Sequence, residues 1–242
     1  MRNSCFQVLL VAALLASWAE AQQNGAVLDS IPQASINLSK VSLRQALSEI
    51  DTQLLEPDYV IFGVELVPSE IGEPVVDLKT ARGETVRDML AQIMHQAPGY
   101  DYSAAGPHLI NVYPVQWRSD PRNLMNVEVA KVDLKDRDVE DLLHIPWSFI
   151  PEIHERFFRV VPGQPATFVG EMMRAARSPK LSLKMEKATL REVFNQAAEV
   201  TSESPPPWSR VGWLYEFRPQ QTDPFRKNTW TDVPSAKGRS QR

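Results

Sequence analysis

The stretch Ile36-Asn37-Leu38-Ser39-Lys40-Val41-Ser42-Leu43-Arg44-Gln45-Ala46-Leu47 passes from one hydrophobic period to another. Ile36 and Leu38 alternate with polar residues, as in a strand with one buried face. From Leu43 the apolar positions are Leu43, Ala46, Leu47, Ile50 and Leu54. That i, i+3, i+4, i+7 spacing makes one stripe of an amphipathic helix. Ser42 stands at the joint, and Gln45 follows three residues later. This is a capping box, in which the hydroxyl takes an orphan backbone N–H and the longer side chain reaches back.

The pattern recurs. Val76-Asp77-Leu78 is followed by Thr85 and the stripe Val86, Met89, Leu90, Ile93 and Met94, with Asp88 as a weaker box partner. Leu183-Lys184-Met185 is followed by Thr189, Glu192 and the stripe Leu190, Val193, Phe194 and Ala197. A diverged copy starts at Val132-Asp133-Leu134, with Asp138 as cap and Val139, Leu142 and Leu143 as stripe. Pro146 stops that helix, because proline lacks the N–H and clashes with the turn before it. An insertion follows over 144–165, with Pro151, Phe157 and Phe158, and a further helix is predicted at about 166–177.

The copies group into two pairs. In the first, Tyr59-Val60-Ile61-Phe62 forms a β-rich run ending at Gly63, and Tyr100 to Ser103 with Leu109 to Tyr113 reads as a hairpin. The predicted fold class is α+β: two related small mixed-sheet modules of β-α-β-β-α-β type, each with helices packed on one face. The predicted boundaries are a module at 35–113, a linker at 114–124, a second and diverged module at 125–217, and a disordered basic tail at 218–242. Val211, Trp213, Tyr215 and Phe217, at alternate positions, are expected to form the last strand of the second module.

The segments Ile36 to Leu47, Tyr59 to Phe62, Val75 to Leu78, Thr85 to Leu90 and Leu109 to Val112 resemble the secretin and TonB short N-terminal domain. The resemblance covers the first module well and the second only loosely. It implies a small sheet with two helices in the periplasm, engaging other proteins. No secretin barrel and no series of barrel strands follows in this sequence, so only the module and its compartment carry over.

The first residues support the same compartment. Arg2 gives a positive start, Phe6 to Ala16 is apolar apart from Gln7, and Ala19-Glu20-Ala21 supplies small residues before Gln22. This reads as a signal peptide over 1–21. Its apolar run is short of the roughly 20 residues that span a bilayer. The expected mature chain therefore has no integral membrane span, and it sits in the periplasm, at the outer membrane or in the medium. The single cysteine, Cys5, would leave with the signal, and with it thiolate chemistry and disulfides. Lys and Arg number 26 against 30 Asp and Glu, and that net acidity argues against nucleic acid as a partner.

No catalytic constellation emerges. His95, His108, His144 and His154 never stand three to five residues apart, so no helix face presents a zinc pair. No Gly-x-Ser-x-Gly elbow occurs. Asp133, Asp136, Asp138, Glu140 and Asp141 surround a helix start, where the dipole stabilises negative charge, and they lack the glycine and terminal glutamate of a calcium loop. The reading is a non-enzyme with no cofactor, no metal and no catalytic residue. Trp147 and Trp208, in proline-bounded loops, are the candidate protein-contact anchors. The expected partner is another envelope protein of a secretion, pilus or TonB-type machinery, or a second copy. The alternative is a secreted hydrolase using the 144–165 insertion.

Overall fold

The computed structural model describes residues 25–54, 59–66, 73–144, 146–160, 180–202 and 212–216. The signal segment, Trp208, the helix expected at 166–177 and the tail lie outside these residues. In order, the elements are β1 (Asn37–Ser42), α1 (Leu43–Thr52), β2 (Ile61–Leu66), β3 (Val75–Lys79), α2 (Val86–Gln96), β4 (Tyr100–Ala104) and β5 (Leu109–Pro114). There follow β6 (Glu128–Asp138), α3 (Val139–His144), α4 (Pro151–Val160), β7 (Lys180–Thr189), α5 (Leu190–Ser202) and β8 (Trp213–Glu216). The chain is α+β, with small sheets and helices packed on them. Among the described residues no helix is long and apolar enough to cross a membrane.

The repeat is visible in the backbone. Lys40, Gly83, Asp136 and Lys187 have φ of 52°, 91°, 53° and 54°. Each stands two residues before the residue that precedes a helix: Ser42, Thr85, Asp138 and Thr189. The left-handed residue turns the strand so that the next extended residue can cap a helix. Glycine adopts this conformation without strain and the other three do so at a cost.

Two of the sheets are two-stranded antiparallel ribbons, β1–β3 and β6–β7. Each has a bulge, between Leu38 and Val41 in β1 and between Leu134 and Arg137 in β6. In the first, the Lys40 N–H donates to Asp77 Oδ1 at 2.8 Å. In the second, the Asp136 N–H donates to Ser182 Oγ at 3.1 Å. Asp77 precedes Leu78, the register partner of Leu38, and Ser182 precedes Leu183, the partner of Leu134. The two ribbons are thus copies down to the side chain that plugs the bulge.

The caps differ in one respect from expectation. Thr85 and Asp88 form a complete box, with N–H to Oδ2 at 2.9 Å and the return bond at 3.3 Å. Thr189 and Glu192 do the same at 2.6 and 3.3 Å. At Ser42 the hydroxyl accepts from the Gln45 N–H at 3.3 Å. There the anion comes from Glu73, which accepts from the Arg44 N–H at 3.3 Å and pairs with the Arg44 guanidinium. A carboxylate brought by tertiary structure satisfies the same orphan donors as a local one.

The third sheet has the order β4-β5-β2-β8. β4 and β5 are antiparallel, and β2 runs parallel both to β5 and to β8. Contrary to the expectation from the sequence, the last strand is not part of the second ribbon's sheet but lies beside β2. Gly63 likewise does not end the β-rich run, because β2 continues to Leu66 with every residue buried. Phe62, Val64, Leu66, Ile110, Val112 and Leu214 face the core shared with α1 and α2. Ile61, Leu109, Trp213 and Tyr215 face the core shared with α3, α5 and the second ribbon. A sheet covered on both sides needs strands that are apolar on both sides, which explains the run Val60 to Leu66, apolar but for Gly63 and Glu65.

In the insertion, Pro151–Val160 is a helix (α4) where the sequence reading placed only an aromatic-rich stretch. Pro151 is its first residue, where the missing N–H costs nothing. α3 ends at His144, before Pro146, as the proline requires.

Candidate interaction surfaces and the buried ion cluster

Glu65, on β2, is 2% exposed yet charged. Its Oε1 accepts from Arg191 Nε at 2.5 Å and its Oε2 from Arg191 Nη2 at 3.1 Å. Asn123 Nδ2 adds a bond of 2.9 Å and Arg118 Nη1 approaches to 3.5 Å. The helix cap places Arg191, because Thr189 fixes the first turn of α5. The connection between the halves supplies Arg118 and Asn123, and Asn123 is itself held by Trp117 O at 3.0 Å and the Met125 N–H at 3.0 Å. Arg118 lies over the Tyr113 ring at 4.1 Å. Burial and the neighbouring Arg191 charge pull the Arg118 pKa down, against the pull of Glu65. Burial also pushes the Tyr215 phenol up.

Two guanidinium groups therefore share one carboxylate between three parts of the chain. Taking these charges from water is costly, and removing one partner strands the rest. The cluster holds these three parts of the chain in one geometry. Beside it, Gly63 leaves room for the Trp213 ring. A Cβ at Gly63 would press into that ring and stand 2.5 Å from Asn111 Oδ1, which is itself buried without a hydrogen-bond partner. Trp213 Nε1 donates to Asn195 Oδ1 at 3.0 Å, and its ring meets Phe194 edge-on at 6.0 Å.

The sheet edges carry their own devices. On β3, Gln96 imitates a neighbouring strand: it accepts from the Asp77 N–H at 2.8 Å and donates to the Asp77 carbonyl at 2.7 Å. On β4, the Tyr102 N–H donates to Asp101 Oδ1 at 2.8 Å. On β6, the Ala130 N–H donates to Glu152 Oε1 at 2.8 Å. β1 is bent by its bulge, with an exposed lysine at the left-handed position. Such plugs, bulges and edge lysines are how sheets avoid pairing with stray strands. The edge of β2 is instead filled by a real strand, β8.

The residues singled out from the sequence scatter. Trp147 lies in the single turn Pro146–Ser148, and Trp208 is outside the described residues. His95 is exposed in the last turn of α2. His108 stacks on Tyr59 with centroids 4.0 Å apart, and its Nδ1 lies 3.3 Å from the Tyr59 carbonyl. His154 is exposed on α4. Within the acidic run, Asp133 stands opposite Lys184, and Asp138 pairs with Lys180 at 3.0 Å. Among the described residues no group of three or more His, Cys, Asp or Glu side chains could hold a metal ion.

Sequence reasoning missed Glu65, Arg191, Arg118 and Asn123. Glu65 alone had a local signal, an acid inside an otherwise apolar strand. No family model, no curated protein and no solved structure matches this chain.

Proposed function

We propose that this chain is an exported, non-catalytic assembly module of the cell envelope, related to the short N-terminal domain of secretins and TonB-dependent receptors. It would engage another component of a secretion, pilus or TonB-type machinery, or a second copy of itself. The observation that carries the reading is the use of strand addition. A twice-used ribbon–helix unit is completed when a strand from the far end of the chain joins the open edge of β2, and sheets that accept strands are a recurrent way of binding other chains. The alternative, a secreted hydrolase, would use the 144–165 insertion, where Glu152 accepts from the Ala130 N–H through one oxygen and keeps the other buried without a hydrogen-bond partner.

Crosslinking in the native envelope, followed by identification of what is trapped, tests the reading. Reproducible recovery of one envelope component, or of a second copy, is expected. Repeated recovery of nothing contradicts it.

A further inference from the structure

We propose that β8 is an exchangeable strand, so that the slot beside β2 is filled in the assembled form by residues 212–216 of a second copy. The inference rests on the assembly reading above and names its partner as the same chain.

The slot is shaped for this sequence. Gly63 lacks the Cβ that would collide with the Trp213 ring. Gly212 lies where a Cβ would stand 2.7 Å from the Phe62 carbonyl. Between them the register sets Gly63 beside Trp213, Val64 beside Leu214 and Glu65 beside Tyr215. Trp213 and Tyr215 enter one core and Leu214 the other. Any strand that fits must repeat this pattern of glycine, aromatic, aliphatic, aromatic, and an identical chain does so without a new contact.

The tie to its own chain is small by comparison. β8 is four residues long and its described ladder is a parallel one, the weaker kind per residue. Residues 203–212 stand between it and α5 in the sequence. The side-chain plugs found on β3, β4 and β6 contrast with β2, whose edge depends on β8. An empty slot would expose that edge and leave a cleft where two large aromatics sat, so a chain that releases β8 must take up another. Closed and exchanged forms make the same contacts, and their balance is set by concentration against the local concentration of the tethered strand.

The test uses two single variants, Val64→Cys and Leu214→Cys, each in a Cys5→Ser chain. Neighbouring strands lie about 4.8 Å apart, within the Cα range a disulfide can bridge. The two variants are unfolded, mixed in equal amounts, refolded together at high concentration and oxidised. Exchange predicts a disulfide-linked heterodimer on a non-reducing gel, absent when either variant is treated alone. No heterodimer, while the Val64→Cys/Leu214→Cys chain closes its disulfide internally, overturns the proposal. Should a cysteine variant lose the native circular dichroism spectrum, light scattering on the unmodified chain decides. A dimer fraction rising severalfold over a roughly hundredfold range of concentration is expected, and a monomer throughout overturns the proposal. A monomeric chain that still traps a different envelope protein removes the exchange and leaves the assembly reading standing. A chain that exchanges but traps only itself keeps both, with the second copy as partner.

Discussion

The ribbon β1–β3 and the ribbon β6–β7 share a bulge, a left-handed residue, a plugging side chain and a following helix, yet they serve different ends. The first belongs to a half that supplies β2, β4 and β5, three strands of the central sheet. The second belongs to a half that, among the described residues, contributes only β8 to that sheet and otherwise covers its other face. A duplicated unit need not yield two independent modules. Once one copy gives its last strand to the other's sheet, the apolar faces of both copies close on the same strands and neither half has a complete core alone.

That comparison can be broken most strongly at the ion cluster. Glu65→Gln removes the anion that Arg191 and Arg118 share and should destabilise the whole chain by roughly 3–5 kcal/mol in urea unfolding. Pairing it with Arg191→Leu should recover much of that loss, because the stranded charge leaves with its partner. If the halves were independent, only the transition of one half would move. The next effect is at the seam itself. Gly63→Ala forces a methyl group against Trp213 and Asn111 and should cost about 1–3 kcal/mol, with Trp213 fluorescence reporting the shift.

Smaller changes distinguish the joints. Gly83→Ala places an ordinary residue at φ 91° and should cost about 1–2 kcal/mol. Lys187→Gly relieves the same strain and should leave stability level or raise it by a few tenths of a kcal/mol, measured by thermal unfolding. The smallest effect is in acid. The Lys40 backbone N–H and the Ser39 hydroxyl hold the Asp77 carboxyl below its usual range, and the Thr85 backbone N–H and hydroxyl do so for Asp88. Burial pushes the Glu73 carboxyl up, but its bonds to Arg44 and the Arg44 charge outweigh this and leave it low. Groups with depressed folded pKa values contribute stability that is present above the unfolded value and is lost as pH falls through the folded one. Below about pH 4 the bulge of the first ribbon, plugged by Asp77, should therefore loosen, while the bulge of the second, plugged by the neutral Ser182, should not. Backbone NMR shifts along β1 and β6 across this range check it; equal responses in both ribbons contradict it.

Much of this architecture was legible locally. Hydrophobic period, caps and Pro146 all act within a few residues, so the repeat, α1, α2, α5 and the end of α3 follow from nearest neighbours in sequence. The left-handed joints were not, because lysine at 40 and 187 gives no signal for such a turn and aspartate at 136 only a weak one. The place of β8 was not legible either. Alternation at Trp213 and Tyr215 gives a strand but not its neighbour, and the choice of β2 depends on two glycines and on a Glu65–Arg191 pair separated by 126 residues. The extension of β2 past Gly63 is the instructive case. A glycine inside a strand can mark a close approach by another side chain, and here Trp213 makes that approach.

Native-state hydrogen exchange, read on peptides covering 61–66 and 190–202, tests most directly whether the halves form one cooperative unit. Closure around a shared sheet predicts that both segments open with the same free energy and the same denaturant dependence. Opening of 190–202 at clearly lower free energy, with 61–66 still protected, would contradict it and restore two separable modules.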